Sequence, residues 1–281
     1  MIVVTGATGN VGRPLVEALA AAGERVTAVS RCVTAADVPE DVTHRQADLA
    51  IPADLWPVLD GADALFLHDT GPGAHLLSPQ DIIDAAKAGG IGRIVLLSSI
   101  GVATRPRSPS HGSVGLSFDN AVRQSGMDWT ILRPGGFASN AYAWAESART
   151  RRTVAAPFAD VGLPVIDPAD IAEVAAAALR EDGHAGQVYE PTGPTLSTPR
   201  QQAEAIGNAL GELVRFVELT REEARAQLLR ITPEPVAETA LDILGDPKPA
   251  EQRISPDVEK VLGRPPRAFA DWALRNIAAF R

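Results

Sequence analysis

The feature that most constrains this chain is Thr5-Gly6-Ala7-Thr8-Gly9-Asn10-Val11-Gly12, which follows directly on the apolar run Ile2-Val3-Val4. Glycines at this spacing between a strand and a helix suit a phosphate-binding turn. Gly6 permits the tight bend, Gly9 lets backbone approach a pyrophosphate, and Gly12 lets helix and strand pack closely. The helix N-terminus then offers unpaired N–H groups and a partial positive charge to phosphate oxygens. The loop predicts a dinucleotide site formed by Gly6, Thr8, Gly9, Asn10, Val11 and Gly12; the competing reading is a purely structural turn.

Hydrophobic runs and breakers extend that beginning into a repeating strand–helix rhythm. The sequence predicts a helix from Val11 to Ala22 ended by Gly23, then strands from Arg25 to Ser30 and from Thr43 to Gln46. A helix around Leu55, a strand from Ala64 to His68, a helix from Pro79 to Ala88 and a strand from Arg93 to Ser98 continue it. A helix from Leu116 to Gln124 and a strand from Trp129 to Leu132 complete the series. Fully apolar strand centres such as Ile94-Val95-Leu96-Leu97 belong to a parallel sheet covered on both faces, so the expected fold is doubly wound α/β. The expected division is a cofactor domain over residues 1–150 and a smaller C-terminal α/β substrate region over 151–281, some segments of which return to the core. There Asp167 is expected to cap a helix reaching about Leu179, and the segment from Gly186 to Glu190 reads as a strand. Ser197 or Thr198 caps a helix through Leu210, and the tail from Arg221 is helical.

The net charge of -9 over 281 residues argues against nucleic acid as the main partner. The nearest basic cluster, Arg149-Thr150-Arg151-Arg152, is short and reads as a solvated face. The single cysteine, Cys32, excludes internal disulfides and fits a reducing compartment. No basic leader precedes the glycine loop and no stretch reaches the length of a bilayer span, so the expectation is a cytoplasmic protein without membrane partners. His68, Asp69 and His75 match no metal-ligand spacing, and no metal is expected. A small-molecule substrate is the expected partner, and monomer and homodimer stay open.

Cofactor type is read at the end of the second strand, where an acidic residue would bind the hydroxyls of an NAD ribose. Here the strand ends Val29-Ser30-Arg31. A guanidinium suits a 2′-phosphate, so NADP(H) is expected over NAD(H). Topology places Asp48 and Leu49 near the adenine and His68 along the adenosine ribose; Asp48 reads equally as a helix cap.

Four segments together resemble a known family: the glycine loop, Leu97-Ser98-Ser99-Ile100-Gly101, the run Asp128 to Phe137 containing Leu132-Arg133-Pro134-Gly135-Gly136, and Gly263-Arg264-Pro265-Pro266. The chain resembles the NmrA-like, atypical short-chain dehydrogenases/reductases over nearly its whole length. The resemblance implies a Rossmann domain binding NAD(P) and a small C-terminal substrate domain. It also implies that Ser98, Pro134, Gly135 and Phe137 line the cofactor, with Phe137, Asn140, Tyr142 and Trp144 facing the substrate. Ser99 matches the position of the wider superfamily's substrate-orienting serine, although serines there often cap the next turn.

The usual catalytic pair of that superfamily is a Tyr with a Lys four residues later. The two tyrosines here, Tyr142 and Tyr189, are followed at that distance by Glu146 and Gly193. Alignment by the resemblance places His111 at the tyrosine position and Gly115 at the lysine position. Either His111 donates the proton, since imidazole titrates near neutrality, or it is a loop residue and the donor is different or absent. The leading expectation is an NADPH-dependent oxidoreductase passing hydride to a small apolar or aromatic carbonyl, enone, imine or quinone. An NADP(H)-sensing regulator without turnover, or an isomerase or cyclase that retains NADP, are the alternatives.

Overall fold

The computed structural model describes residues 1–68, 76–109 and 112–281. Its strands are β1 (Ile2–Thr5), β2 (Val26–Ser30), β3 (Thr43–Gln46), β4 (Ala64–His68), β5 (Arg93–Leu97), β6 (Asp128–Leu132), β7 (Thr153–Pro157), β8 (Gln187–Tyr189) and β9 (Arg215–Leu219). Its helices are α1 (Gly12–Ala21), α2 (Pro52–Leu59), α3 (Pro79–Ala88), α4 (Gly101–Thr104), α5 (Ser113–Arg123), α6 (Ala145–Arg151), α7 (Pro168–Arg180), α8 (Pro199–Leu210), α9 (Arg221–Leu228), α10 (Glu234–Gly245), α11 (Asp257–Leu262) and α12 (Phe269–Arg275).

Seven strands form one parallel sheet in the order β3-β2-β1-β4-β5-β6-β8. This is the doubly wound Rossmann order with one strand added beyond β6. Successive residues of each central strand alternate between two apolar layers. Val4, Phe66, Val95, Leu97 and Leu132 face a core shared with α1 and α7. Val3, Leu65, Leu67, Ile94, Leu96 and Ile131 face a core shared with α2, α3 and α5. Both faces being covered explains why these strands lack a polar side. The strand order reverses between β1 and β4, and the glycine loop emerges there.

Most expected elements lie within one or two residues of their places, the ordinary uncertainty of frayed ends; the helix expected from Leu116 starts at Ser113. Asp167 caps α7, its Oδ1 accepting from Ala169 N at 2.9 Å. Thr198, not Ser197, caps α8: its hydroxyl accepts from Gln201 N at 3.2 Å, and Gln201 Oε1 accepts from Thr198 N at 3.0 Å. Ser197 instead pairs its backbone with Leu163. A second sheet, not expected from the sequence, pairs β7 and β9 in parallel from Thr153↔Arg215 to Pro157↔Leu219. A third apolar cluster, with Ala148, Val154, Ile206, Trp272 and Phe280, joins that sheet to α6, α8 and α12.

The segment after α11 is clamped onto α7. Asp170 is fully buried; it accepts from Arg264 and from the Arg267 backbone N–H, each at 2.7 Å, and also contacts the Arg267 guanidinium. Glu173, one turn on, contacts the same two arginines. Burial alone would raise the Glu173 carboxyl, but hydrogen bonds from Arg264 and Arg267 hold it below its usual range. The two prolines between these arginines stiffen the clamp.

Candidate cofactor and substrate site

The glycine loop is packed against its own backbone. A Cβ on Gly12 would lie 2.1 Å from Gly6 O, and one on Gly9 would lie 3.1 Å from the same oxygen. Gly6 adopts a φ of +62°, and a Cβ there would meet the His68 ring at 2.5 Å. His68 thus sits under the first turn of the loop, with its backbone N–H directed to Thr5 Oγ1 at 3.3 Å.

α1 begins without any side-chain cap: Val11 stands at the N-cap position, and the first turn carries no acid. Among the described residues, the backbone N–H groups of Asn10, Val11 and Gly12 find no acceptor. α3, α7, α8 and α9 are capped by Ser78, Asp167, Thr198 and Thr220, whereas α1, like α2, α5, α6 and α10, has no side-chain cap. Unfilled donors on a ten-residue helix, beside Gly6 and Gly12, which leave no room for a Cβ, fit a pyrophosphate.

Around the end of β2, Thr8 Oγ1 donates to Ser30 Oγ at 3.3 Å, and that oxygen also accepts from Cys32 N at 3.3 Å. Arg31 is exposed and pairs with no carboxylate among the described residues. The next acid along this loop, Asp37, is engaged by Thr34 and Arg13, which hold its carboxyl below the usual range. The polar trio Thr8, Ser30 and Arg31 therefore suits a second phosphate, and Ser30 is a member the sequence reading passed over. Asp48 Oδ1 accepts from Ala50 N at 3.0 Å, which closes a local turn and does not cap a helix, since Ile51 stands at the N-cap of α2; Leu49 packs against the core beneath α2.

The segment after β6 is held by backbone bonds on both sides. Ile100 N donates to Pro134 O at 3.1 Å, Gly135 N to Pro191 O at 3.1 Å and Ile166 N to Gly136 O at 2.8 Å. Phe137 forms an isolated bridge with Ile166. Within the chain a Cβ on Gly135 would approach Pro164 O at 3.5 Å and one on Gly136 would approach Val165 Cγ1 at 3.9 Å. The fold itself does not require these two glycines. The tight glycine here is Gly193, whose Cβ would lie 2.1 Å from Val165 O. A side-chain bond runs from Asn10 Nδ2 to Ser139 Oγ at 3.1 Å. It ties the glycine loop to the 3₁₀ helix Ala138–Trp144.

Ser98 is buried, and its Oγ has no hydrogen-bond partner among the described residues. Ser99 is half-buried, and its Oγ accepts from Gly101 N at 3.1 Å in the turn that leads into α4, while its own proton stays available to donate. Asn140 is exposed and Trp144 half-buried against the third cluster. Tyr142 is turned to the C-terminal helix. Its hydroxyl donates to Asn276 Oδ1 at 2.6 Å, and its ring meets Trp272 edge-on at 5.1 Å. Burial, and then the charge of Asp167, push this phenol up, so it stays protonated. Tyr189 is likewise engaged, with its hydroxyl 2.9 Å from His184 Nδ1. His111, Asp69 and His75 lie outside the described residues. Among the described residues no group of acids, histidines and cysteines is arranged to hold a metal. No helix there is long and apolar enough to cross a membrane.

A family model described as NAD(P)H-binding matches residues 6–182. Over 290 aligned residues the chain is 35% identical to a (4-alkanoyl-5-oxo-2,5-dihydrofuran-3-yl)methyl phosphate reductase of Streptomyces griseus, covering 100% of this chain and 99% of that one. It is 32% identical to an NAD(P)H azoreductase of Xenophilus azovorans, with 100% and 99% covered. Among solved structures, an NADPH-dependent quinone oxidoreductase from Escherichia coli complexed with NADPH superposes with a TM-score of 0.80, at 26% identity over 98% of this chain and 99% of that one. Glycine loop, uncapped α1, strand order and these full-length similarities agree: the chain belongs to the NAD(P)H-binding, NmrA-like family of atypical short-chain dehydrogenases/reductases.

Proposed function

We propose that the chain is an NADPH-dependent reductase that passes hydride to a small apolar or aromatic carbonyl, enone, imine or quinone. The observation that carries the reading is the uncapped α1 N-terminus behind the glycine loop, which the Asn10–Ser139 bond ties to the 3₁₀ helix that follows the Pro134–Phe137 segment. The reductase names of relatives that match end to end support it.

In this reading Gly6, Gly9, Gly12 and the amides of Asn10 and Val11 hold the pyrophosphate, and Thr8 and Arg31 hold the 2′-phosphate. Asp48, Leu49 and His68 flank the adenosine; Ser98, Pro134, Gly135 and Phe137 form the nicotinamide floor. Bound NADPH supplies the hydride. Phe137, Asn140, Tyr142 and Trp144 border the substrate, and the Ser99 hydroxyl donates to its oxygen or nitrogen. The reaction proceeds without the Tyr and Lys pair. The engagement of Tyr142 with Asn276 and of Tyr189 with His184 supports this. His111 is then the proton donor for acceptors that need one. Conjugated acceptors need it least, because delocalisation stabilises the anion that hydride addition leaves.

Purified protein mixed with NADPH and a panel of quinones, enones and imines tests the reading. Loss of NADPH absorbance with at least one class is expected, and none with any of them refutes it. His111→Ala is expected to slow turnover by roughly 100-fold and Ser99→Ala by about tenfold, both with NADPH affinity kept. An unchanged rate removes that residue from the mechanism. Arg31→Asp is expected to weaken NADPH binding by about 10- to 100-fold, as loss of a charge-assisted contact does, with much less effect on NADH. Equal losses for the two cofactors would sink the assignment of Arg31.

A further inference from the structure

α5 turns Gly115, Phe118, Asp119 and Val122 toward the sheet. That spacing is a single apolar stripe, and it contains a carboxylate. Asp119 has no exposed surface at all. Its Oδ2 accepts from Arg133 Nε at 3.1 Å and also from Nη2 of the same guanidinium. The second oxygen, Oδ1, is buried and has no partner among the described residues.

Among the described residues one other buried side-chain atom shares that condition, Ser98 Oγ. The two stand on the same face of the sheet. Ile94 and Leu96 face the core beneath α5, and the ladder continues past β5 because Ser98 N donates to Leu132 O at 2.8 Å. Side chains alternate along a strand, so Ser98 falls on the α5 face. By the same alternation Ile131 and then Arg133 fall on it from β6. α5 packs on both β5 and β6, so Asp119 lies in the same buried layer as Ser98 and Arg133. An acceptor and a hydroxyl donor, each unsatisfied and each sealed from solvent, carry a desolvation cost that proteins rarely leave uncompensated.

Arg133 is the residue from which the Pro134–Phe137 segment departs. Its backbone N–H is fixed to Tyr189 O at 2.7 Å, and its guanidinium is fixed to Asp119. We propose that Asp119 is a positioning residue for hydride transfer: through Arg133 one carboxylate oxygen sets the level of the nicotinamide floor, and the other receives the Ser98 hydroxyl as the cofactor docks. The carboxylate thereby joins the ends of β5 and β6 into one rigid surface. This rests on the reductase reading, but it makes a claim about backbone order that does not need turnover.

The test uses the full chain and the variants Asp119→Asn, Asp119→Glu, Arg133→Lys, Ser98→Ala and the double Asp119→Asn/Ser98→Ala. With NADPH bound, amide exchange at Gly135 and Gly136 is expected to be at least about tenfold faster in Asp119→Asn and in Arg133→Lys than in the parent. Single-turnover NADPH oxidation by menadione should fall by about 10- to 100-fold, the scale of a small misplacement of reacting groups, while the NADPH Kd changes less than about threefold. Asp119→Glu should recover part of the rate. The double variant should be no slower than the slower single, because both substitutions break one unit. Parent-like exchange at the two glycines, rates that fall only in proportion to Tm, or single effects that multiply in the double variant would each overturn the proposal. If the parent oxidises no NADPH with any acceptor, the reductase reading fails and the exchange measurements alone decide the positioning role.

Discussion

Gly12→Ala is expected to lower NADPH affinity by at least about 100-fold, equivalent to roughly 2.7 kcal/mol. The reason is crowding rather than backbone strain. The added Cβ would stand 2.1 Å from Gly6 O, 2.7 Å from Gly6 C and 2.9 Å from Ala7 Cα. All three are backbone atoms, so no side chain can rotate away. Either the loop opens or α1 slides off β1. The second route pulls on Leu15, Val16 and Leu19, which are buried against the sheet, at a cost typical of overpacking, about 1–3 kcal/mol. Both routes re-aim the free amides of Asn10 and Val11. Gly9→Ala is the control: its Cβ meets a single oxygen at 3.1 Å, which a shift of a few tenths of an ångström relieves, and its expected loss is under about tenfold. Fluorescence titration with NADPH reads both; near-parental affinity in Gly12→Ala would remove loop closure as the basis of binding.

The second large effect is on stability. Asp170→Ala removes the fully buried carboxylate that accepts from both Arg264 and Arg267 and leaves the half-buried Glu173 as their partner on α7. Breaking a buried pair on one side costs about 3–5 kcal/mol, or roughly 6–20 °C in Tm for a chain of this size. A drop of only a degree or two would show that the clamp is ornamental. The same cluster has a pH signature through Glu173. Its folded carboxyl lies below the ordinary 4.5 because Arg264 and Arg267 outweigh burial. Its contribution is therefore present above the unfolded value and is lost as pH falls through the lower folded one. Thermal melts from neutral pH downward should show stability declining below about pH 4.5, and Glu173→Gln should flatten that part of the decline.

The main sheet was legible because strands buried on both faces have no alternative period to follow: Ile94-Val95-Leu96-Leu97 reads the same way on paper and in space. The cofactor wall was legible because glycine spacing carries geometry, and Gly6, Gly9 and Gly12 meet at one oxygen. β7 and β9 were not. Thr153-Val154-Ala155-Ala156-Pro157 is short, alanine-rich and ends in proline, and its only partner lies some sixty residues on, so nothing local marks it as a strand. The bond from the Tyr142 hydroxyl to Asn276 was not legible either, because its partner lies on the far C-terminal segment and no local pattern links the two. Asp119 did leave a trace, an acid inside the apolar stripe of α5, and Arg133 is the matching base at the end of the next strand. Ser30 could have been found from its place beside Arg31.

Because β8 is added to β6 and α7 packs on α1, the order of synthesis matters to this fold. When the first 150 residues have left the ribosome, the edge of β6 still lacks its neighbour and the apolar layer over β1, β4 and β5 is only half covered. An unpaired parallel edge beside a greasy face invites pairing with another nascent chain. The seam closes only when residues 168–189 emerge, so the interval between those two points is when this protein is most exposed to misassembly and has most need of a chaperone.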